Sequence, residues 1–232
     1  MRSILLLVGL CISFNGNSQT YFEKFPKEVA AFVEFRKENG KCLDSLFLKY
    51  QINPAVALSI VAPEVGHYSV WQDKMEVAAV SLFYVEMGSE YNNFSVGYFQ
   101  MKPSFAEMVE QNVKTLKLDK FFHLLSFGSS DLKMIRQERL SRLEALEFQA
   151  TYLCAFISIC QALYPGWFKQ SNFVNRLSAA YNFGFWLGEE KIAAWQNVNK
   201  FPAPGPSAFS YSKVAAEYFD FLNQLSPKNP TR

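Results

Sequence analysis

The chain has 232 residues, half of them hydrophobic and 16% aromatic, with a formal net charge of +2. That length allows one domain with a substantial core. A near-neutral balance with no run of five basic residues argues against a polyanion-binding groove, so no nucleic-acid partner is expected.

Taken in chain order, residues 1–18 read as an export signal. Arg2 supplies the positive start, residues 4–12 the apolar stretch, and Gly16-Asn17-Ser18 the small-residue cleavage pattern. The apolar run is too short to span a bilayer, and no other stretch reads as a membrane span. The expected location is outside the cytoplasm, in the periplasm or at the cell surface. Removing the signal leaves Cys42, Cys154 and Cys160, an odd number. Packing thiols are expected, with a bridge from Cys42 to one of the others as the alternative.

The pattern then becomes helical nearly throughout. Residues 26–39 form the first expected helix, with Pro26 at its start and Gly40 at its stop. Residues 42–50 continue as a short helix. Asn53-Pro54 caps and opens the next one, which carries Val56, Leu58, Ile60 and Val61 and runs into Pro63-Glu64. Residues 71–93 read equally as buried helix or β-branched strand. Helices follow at 103–113, 118–125, 131–163, 172–182 and 188–195, then a proline-rich loop at 201–210 and a closing helix at 213–225. An all-α or α-dominant single domain is expected over 50–225, preceded by a helical segment at 19–49 and followed by a tail at 226–232.

The chemistry narrows by exclusion. His67 and His123 are the only histidines, no Cys/His spacing suits zinc, and neither a nucleophile elbow nor a phosphate loop occurs, so no metal or cofactor is expected. Carboxylate chemistry remains. Glu64 is a single acid at the end of an apolar helix. Pro63 before it, lacking an amide hydrogen, should end or kink that helix, and Gly66 should free the backbone. Desolvation there would raise the carboxyl pKa, as a general acid requires.

Three blocks stand in order: NPAVALSIVAPEV at 53–65, GYFQMKP at 97–103 and AYNFG at 180–184. Together they resemble the catalytic domain of the lysozyme-like lytic transglycosylases, and YSKVAAEYFDFL at 211–222 resembles that family's closing helix. The resemblance covers roughly residues 50–225. It implies a lysozyme-like fold, no cofactor, and peptidoglycan strands as substrate. It makes Glu64 the catalytic acid and base, and puts Gly97, Tyr98, Gln100, Tyr181 and Asn182 along the sugar site. Gln100 would hydrogen-bond sugar, Tyr181 would touch the acid or the reacting centre, and Asn182 would bind an acetamido group.

The chain departs from the family pattern at four places. Val65 replaces the usual serine, Pro63 is not the usual neighbour, Tyr98 and Phe99 replace leucine and methionine, and residues 67–93 read as an insertion. Two rivals follow. A muramidase of the same fold would draw a second carboxylate from Asp73, Glu76, Glu86 or Glu90. A non-catalytic wall-binding protein would keep the groove and lose turnover. Trp71, Trp167 and Trp186 read first as structural and second as sugar-stacking rings.

Overall fold

The computed structural model describes residues 19–68 and 83–225. It is an α-dominant single domain with one small sheet. A four-residue helix α1 (Tyr21–Lys24) is closed by a capping box between Thr20 and Glu23. Helix α2 (Pro26–Lys49) follows, then α3 (Pro54–His67), α4 (Pro103–Thr115), α5 (Leu132–Glu144), α6 (Leu146–Leu163), α7 (Phe173–Phe183), α8 (Glu189–Trp195) and α9 (Tyr211–Leu225). Strands β1 (Asn199–Phe201) and β2 (Phe209–Ser210) pair antiparallel and carry the chain into α9.

Helix α3 is the central element, packed against α2, α6, α7 and α9. Asn53 caps it as expected, its side chain accepting from the Ala55 amide at 2.8 Å. Ten of its fourteen residues are buried, so it reads apolar on all sides rather than amphipathic. Each of Val56, Leu58, Ile60 and Val61 contributes about 1.5–3 kcal/mol by burial.

Several local expectations fail for identifiable reasons. Gly40 does not stop the first helix, because α2 continues through it to Lys49. Its missing side chain makes room for Arg36, whose guanidinium would meet a Cβ at 1.8 Å and which pairs with Asp44 at 2.6 Å. Pro63 does not end α3 either. The Ser59 carbonyl gets no bond from it, but packing on four helices carries the chain on to His67. Gly66 is helical, and what it provides is close approach: a Cβ there would sit 2.8 Å from the Glu28 carbonyl oxygen of α2.

The expected long helix at 131–163 is two helices, broken at Ala145, which is extended at φ −92°, ψ 120°. Of residues 118–125 only His123–Leu125 forms a short 3-10 turn. The expected loop at 201–210 contributes its ends to the hairpin. Of the ambiguous stretch 71–93, residues 83–87 are helical, 88–93 are turn and irregular chain, and 71–82 lie outside the described residues. So do the export signal, Trp71, Asp73 and Glu76. Cys42 is exposed while Cys154 and Cys160 are buried, all three as free thiols, so the Cys42 bridge does not form. Helix α6 is, contrary to the sequence expectation, long and apolar enough to cross a bilayer. Its apolarity is that of a core helix, with Leu153, Phe156, Ile157 and Ile159 buried.

Candidate functional site

Glu64 lies in the last turn of α3 and opens into a cleft of about 170 Å³. The far wall is built by the hairpin and its flanks: Val198, Lys200, Phe201 and Pro202, with Trp195 at the end of α8 and Tyr211 at the start of α9. The hairpin is seated by its aromatic ring. Phe201 stands edge-on to both Tyr211 and His67, at 5.2 Å in each case. Ser210 also donates its hydroxyl to the Gln196 carbonyl. These contacts close the cleft over Glu64 from a segment more than 130 positions later in sequence.

Burial pushes the Glu64 carboxyl up to about 7, and the opposing influence is the positive charge of Lys102. Glu64 is half-buried and lines the cleft. The tyrosines around it are held neutral in the same way. Tyr211 donates its hydroxyl to the Ile60 carbonyl at 2.9 Å, and Tyr181 donates to the Phe99 carbonyl at 2.5 Å. Burial first, and the Glu64 charge second, raise the pKa of both phenols. Behind Phe201, the Tyr21 hydroxyl and His67 Nε2 share a hydrogen bond of 2.8 Å, and burial lowers the pKa of His67. The site is therefore a protonatable acid among neutral phenols, with Lys200 in its wall and the Lys102 charge acting on the acid.

A raised folded-state pKa has a stability consequence. Between the ordinary carboxyl range and about pH 7 the folded protein binds a proton at Glu64 that the unfolded chain has released, so stability falls as pH rises through that window. Keeping the carboxylate ionised at pH 8 costs roughly 3 kcal/mol. Glu64→Gln is accordingly expected to be more stable than the parent by about 1–3 kcal/mol at pH 8 and no more stable below pH 4. Thermal melts of the two proteins across that range would expose any error in this assignment as a pH-independent difference.

The residues expected along the sugar site separate into two groups. Tyr181 and Asn182, at the end of α7, do come to Glu64: Tyr181 by its electrostatic effect, Asn182 as part of the cleft wall. Asn182 Oδ1 accepts from the Trp195 indole at 3.0 Å, which joins α7 to α8 across the cleft rim. Gly97, Tyr98 and Gln100 do not line the cleft. Gln100 turns its amide nitrogen back to the Gly97 carbonyl at 2.8 Å and so closes its own loop. Tyr98 packs toward α2, with ring centroids 5.0 Å from Phe35 and 4.3 Å from Tyr68.

Gly97 has a positive φ of 72°, and a Cβ there would meet Gln149 Nε2 at 2.1 Å and the Leu143 carbonyl oxygen at 2.7 Å. The glycine thus seats the loop on the break between α5 and α6, where buried Gln149 accepts from the Phe99 amide at 2.8 Å. Through Phe99 the loop positions Tyr181.

Three cleft residues carried no sequence signal, Trp195, Lys200 and Phe201, and Tyr211 was marked only as the first residue of the closing-helix resemblance. Trp167 is buried, its indole donating to Glu189, and Trp186 is exposed beside Gly184. Trp195 is the one described tryptophan in the cleft wall. Glu86 pairs with Lys133, Glu90 is exposed, and neither lines the cleft. A larger groove, about 720 Å³, runs between α2 and α6 past Lys41, Cys42, Tyr50 and Phe148. Its two acids, Glu38 and Glu147, are exposed and solvated, so size favours the groove while the chemistry favours the Glu64 cleft. Among the described residues no cluster of three or more metal-ligating side chains occurs.

No family model, curated protein or solved structure matches the chain.

Proposed function

We propose that the protein is a peptidoglycan lytic transglycosylase of lysozyme-like fold, acting on wall glycan outside the cytoplasm. The observation that carries this reading is a single desolvated carboxyl, Glu64, opening into a cleft walled by Tyr211, Asn182 and Trp195. The ordered resemblance of the three sequence blocks supports it. Protonated Glu64 gives its proton to the glycosidic oxygen between N-acetylmuramic acid and N-acetylglucosamine, and the bond from that oxygen to C1 of the muramic residue breaks. The muramic 6-hydroxyl then bonds to C1, its proton passes to the Glu64 carboxylate, and a 1,6-anhydro ring closes. No water is consumed, and the acid ends as it began. One carboxyl thus performs both proton transfers.

The muramidase alternative needs a second carboxylate about 6.5–9.5 Å from the first. Among the described residues the cleft wall contains no acid but Glu64. Digestion of purified sacculi with mass analysis of the released muropeptides separates the readings. Products one water lighter than hydrolysis products are expected. Reducing-end products would make the protein a hydrolase, and sedimentation with sacculi without any product would make it a binding protein.

A further inference from the structure

The cleft around Glu64 is positive in a way that proton transfer alone does not require. Lys200 lines it, with Nζ 5.3 Å from the centroid of the Trp195 ring. Lys102, at the start of α4, is close enough for its charge to act on Glu64. Neither lysine makes an ion pair among the described residues, and the wall contributes no acid besides Glu64. When Glu64 holds its proton, Lys200 stands in the cleft wall with no anion to balance it, and the Lys102 charge adds to it from the start of α4. A neutral glycan would leave them so. The cleft is also smaller than the roughly 300–1,000 Å³ of sites that enclose drug-sized molecules, so it admits part of one sugar ring and its immediate substituent and not a peptide.

We infer that this cleft recognises a sugar that bears its own carboxylate, seated on Lys200 beside the Trp195–Asn182 edge. On wall glycan that group is the free lactyl carboxylate of muramic acid from which the stem peptide has been removed; in a hexuronate polymer it is the ring carboxylate. The inference rests on the proposed function for the first source and not for the second. A carboxylate on a stripped strand gains a charge-assisted hydrogen bond that the amide-linked lactyl group of a stem-bearing strand cannot make. Because both lysines are exposed, the preference should weaken as salt rises.

The test is direct titration of Glu64→Gln, whose turnover is expected to be about three orders of magnitude slower, with four probes of equal length: stripped glycan strands, stem-bearing strands, neutral N-acetylglucosamine oligomers and hexuronate oligomers. Stripped strands are expected to bind about tenfold more tightly than the neutral oligomers, the effect of one partly screened charge contact. Adding Lys200→Met should abolish that preference, and Lys200→Arg should restore most of it. Equal binding of neutral and stripped strands overturns the inference. So does equal binding of stem-bearing strands with the same dependence on Lys200, because the carboxylate would then be that of the peptide. Tight, Lys200-dependent binding of hexuronate by a protein whose parent form cuts no wall glycan supports the inference and ends the transglycosylase reading. Cleavage of stem-bearing and stripped strands at equal rates, without Lys200 dependence in either, does the reverse.

Discussion

Glu64→Gln is expected to lower the release of anhydro-muropeptides by about three orders of magnitude, with the fold and the affinity for glycan retained. General acid–base catalysis by one positioned group contributes roughly 10²–10⁴-fold, and here the same carboxyl serves both proton transfers. Glutamine keeps the shape and a hydrogen-bonding end but holds no transferable proton. The pH profile of the parent protein identifies the group independently. With the Glu64 carboxyl pushed up to about 7, the acid form dominates below that pH, so activity should fall tenfold per pH unit above it. Lys102→Met removes the charge that favours the carboxylate, which raises the carboxyl pKa further and moves the falling limb to higher pH. A Glu64→Gln protein with a tenth or more of parental activity would remove Glu64 from the chemistry, and a limb that stays in place in Lys102→Met would remove Lys102 from its electrostatics.

The acid was legible in the sequence because its setting is local. Asn53-Pro54 starts α3, the apolar run makes it a core helix, and Glu64 is the one charge on it before His67. Tyr181 and Asn182 were legible through their resemblance to a motif. The opposite wall was not, since Trp195, Lys200 and Tyr211 reach Glu64 only once the hairpin folds back and Phe201 lodges against His67. That contact spans 134 positions, which no periodicity reports. Glycines misled in a consistent way. Gly40 and Gly66 read as places where the backbone turns, whereas both stay helical and admit a neighbour, Arg36 in one case and the Glu28 carbonyl in the other. Gly97 combines both uses: a positive φ, and room for Gln149 under the loop. The break at Ala145 carries no glycine or proline, and no local pattern marked it. Its setting is tertiary, with Arg142 reaching the Ser126 carbonyl at 2.8 Å and its guanidinium 4.2 Å from the Phe127 ring centroid.

The largest loss of stability is expected from Arg139→Met, at about 3–5 kcal/mol, the usual cost of breaking a buried ion pair. Arg139 is 6% exposed and joins three parts of the fold. On α4, Glu110 accepts from its Nε at 2.9 Å and from Nη2 at 2.6 Å, and Glu107 accepts from Nη1 at 3.2 Å. The Tyr84 hydroxyl accepts from Nη1 at 2.5 Å and donates to Glu107 at 2.8 Å, which brings in the helical turn at 83–87. From α6, Tyr152 donates to Glu110 at 2.6 Å. Methionine fills much of the volume but leaves the Glu110 carboxylate, 7% exposed, without its cation. For a chain of this length the loss corresponds to a fall in Tm of roughly 10 °C. Adding Glu110→Gln should recover a large part of it, because the double variant no longer buries an unpaired charge; a double-mutant cycle measures that recovery as coupling. Additive losses would mean that the pair is held by packing and contributes no specific coupling. The site would register the change as well. Glu107 and Glu110 lie on the helix whose first turn follows Lys102 directly, so loosening α4 from α5 should blur the position of Lys102. In Arg139→Met below its melting temperature, the alkaline limb of the activity profile should therefore move toward that of Lys102→Met.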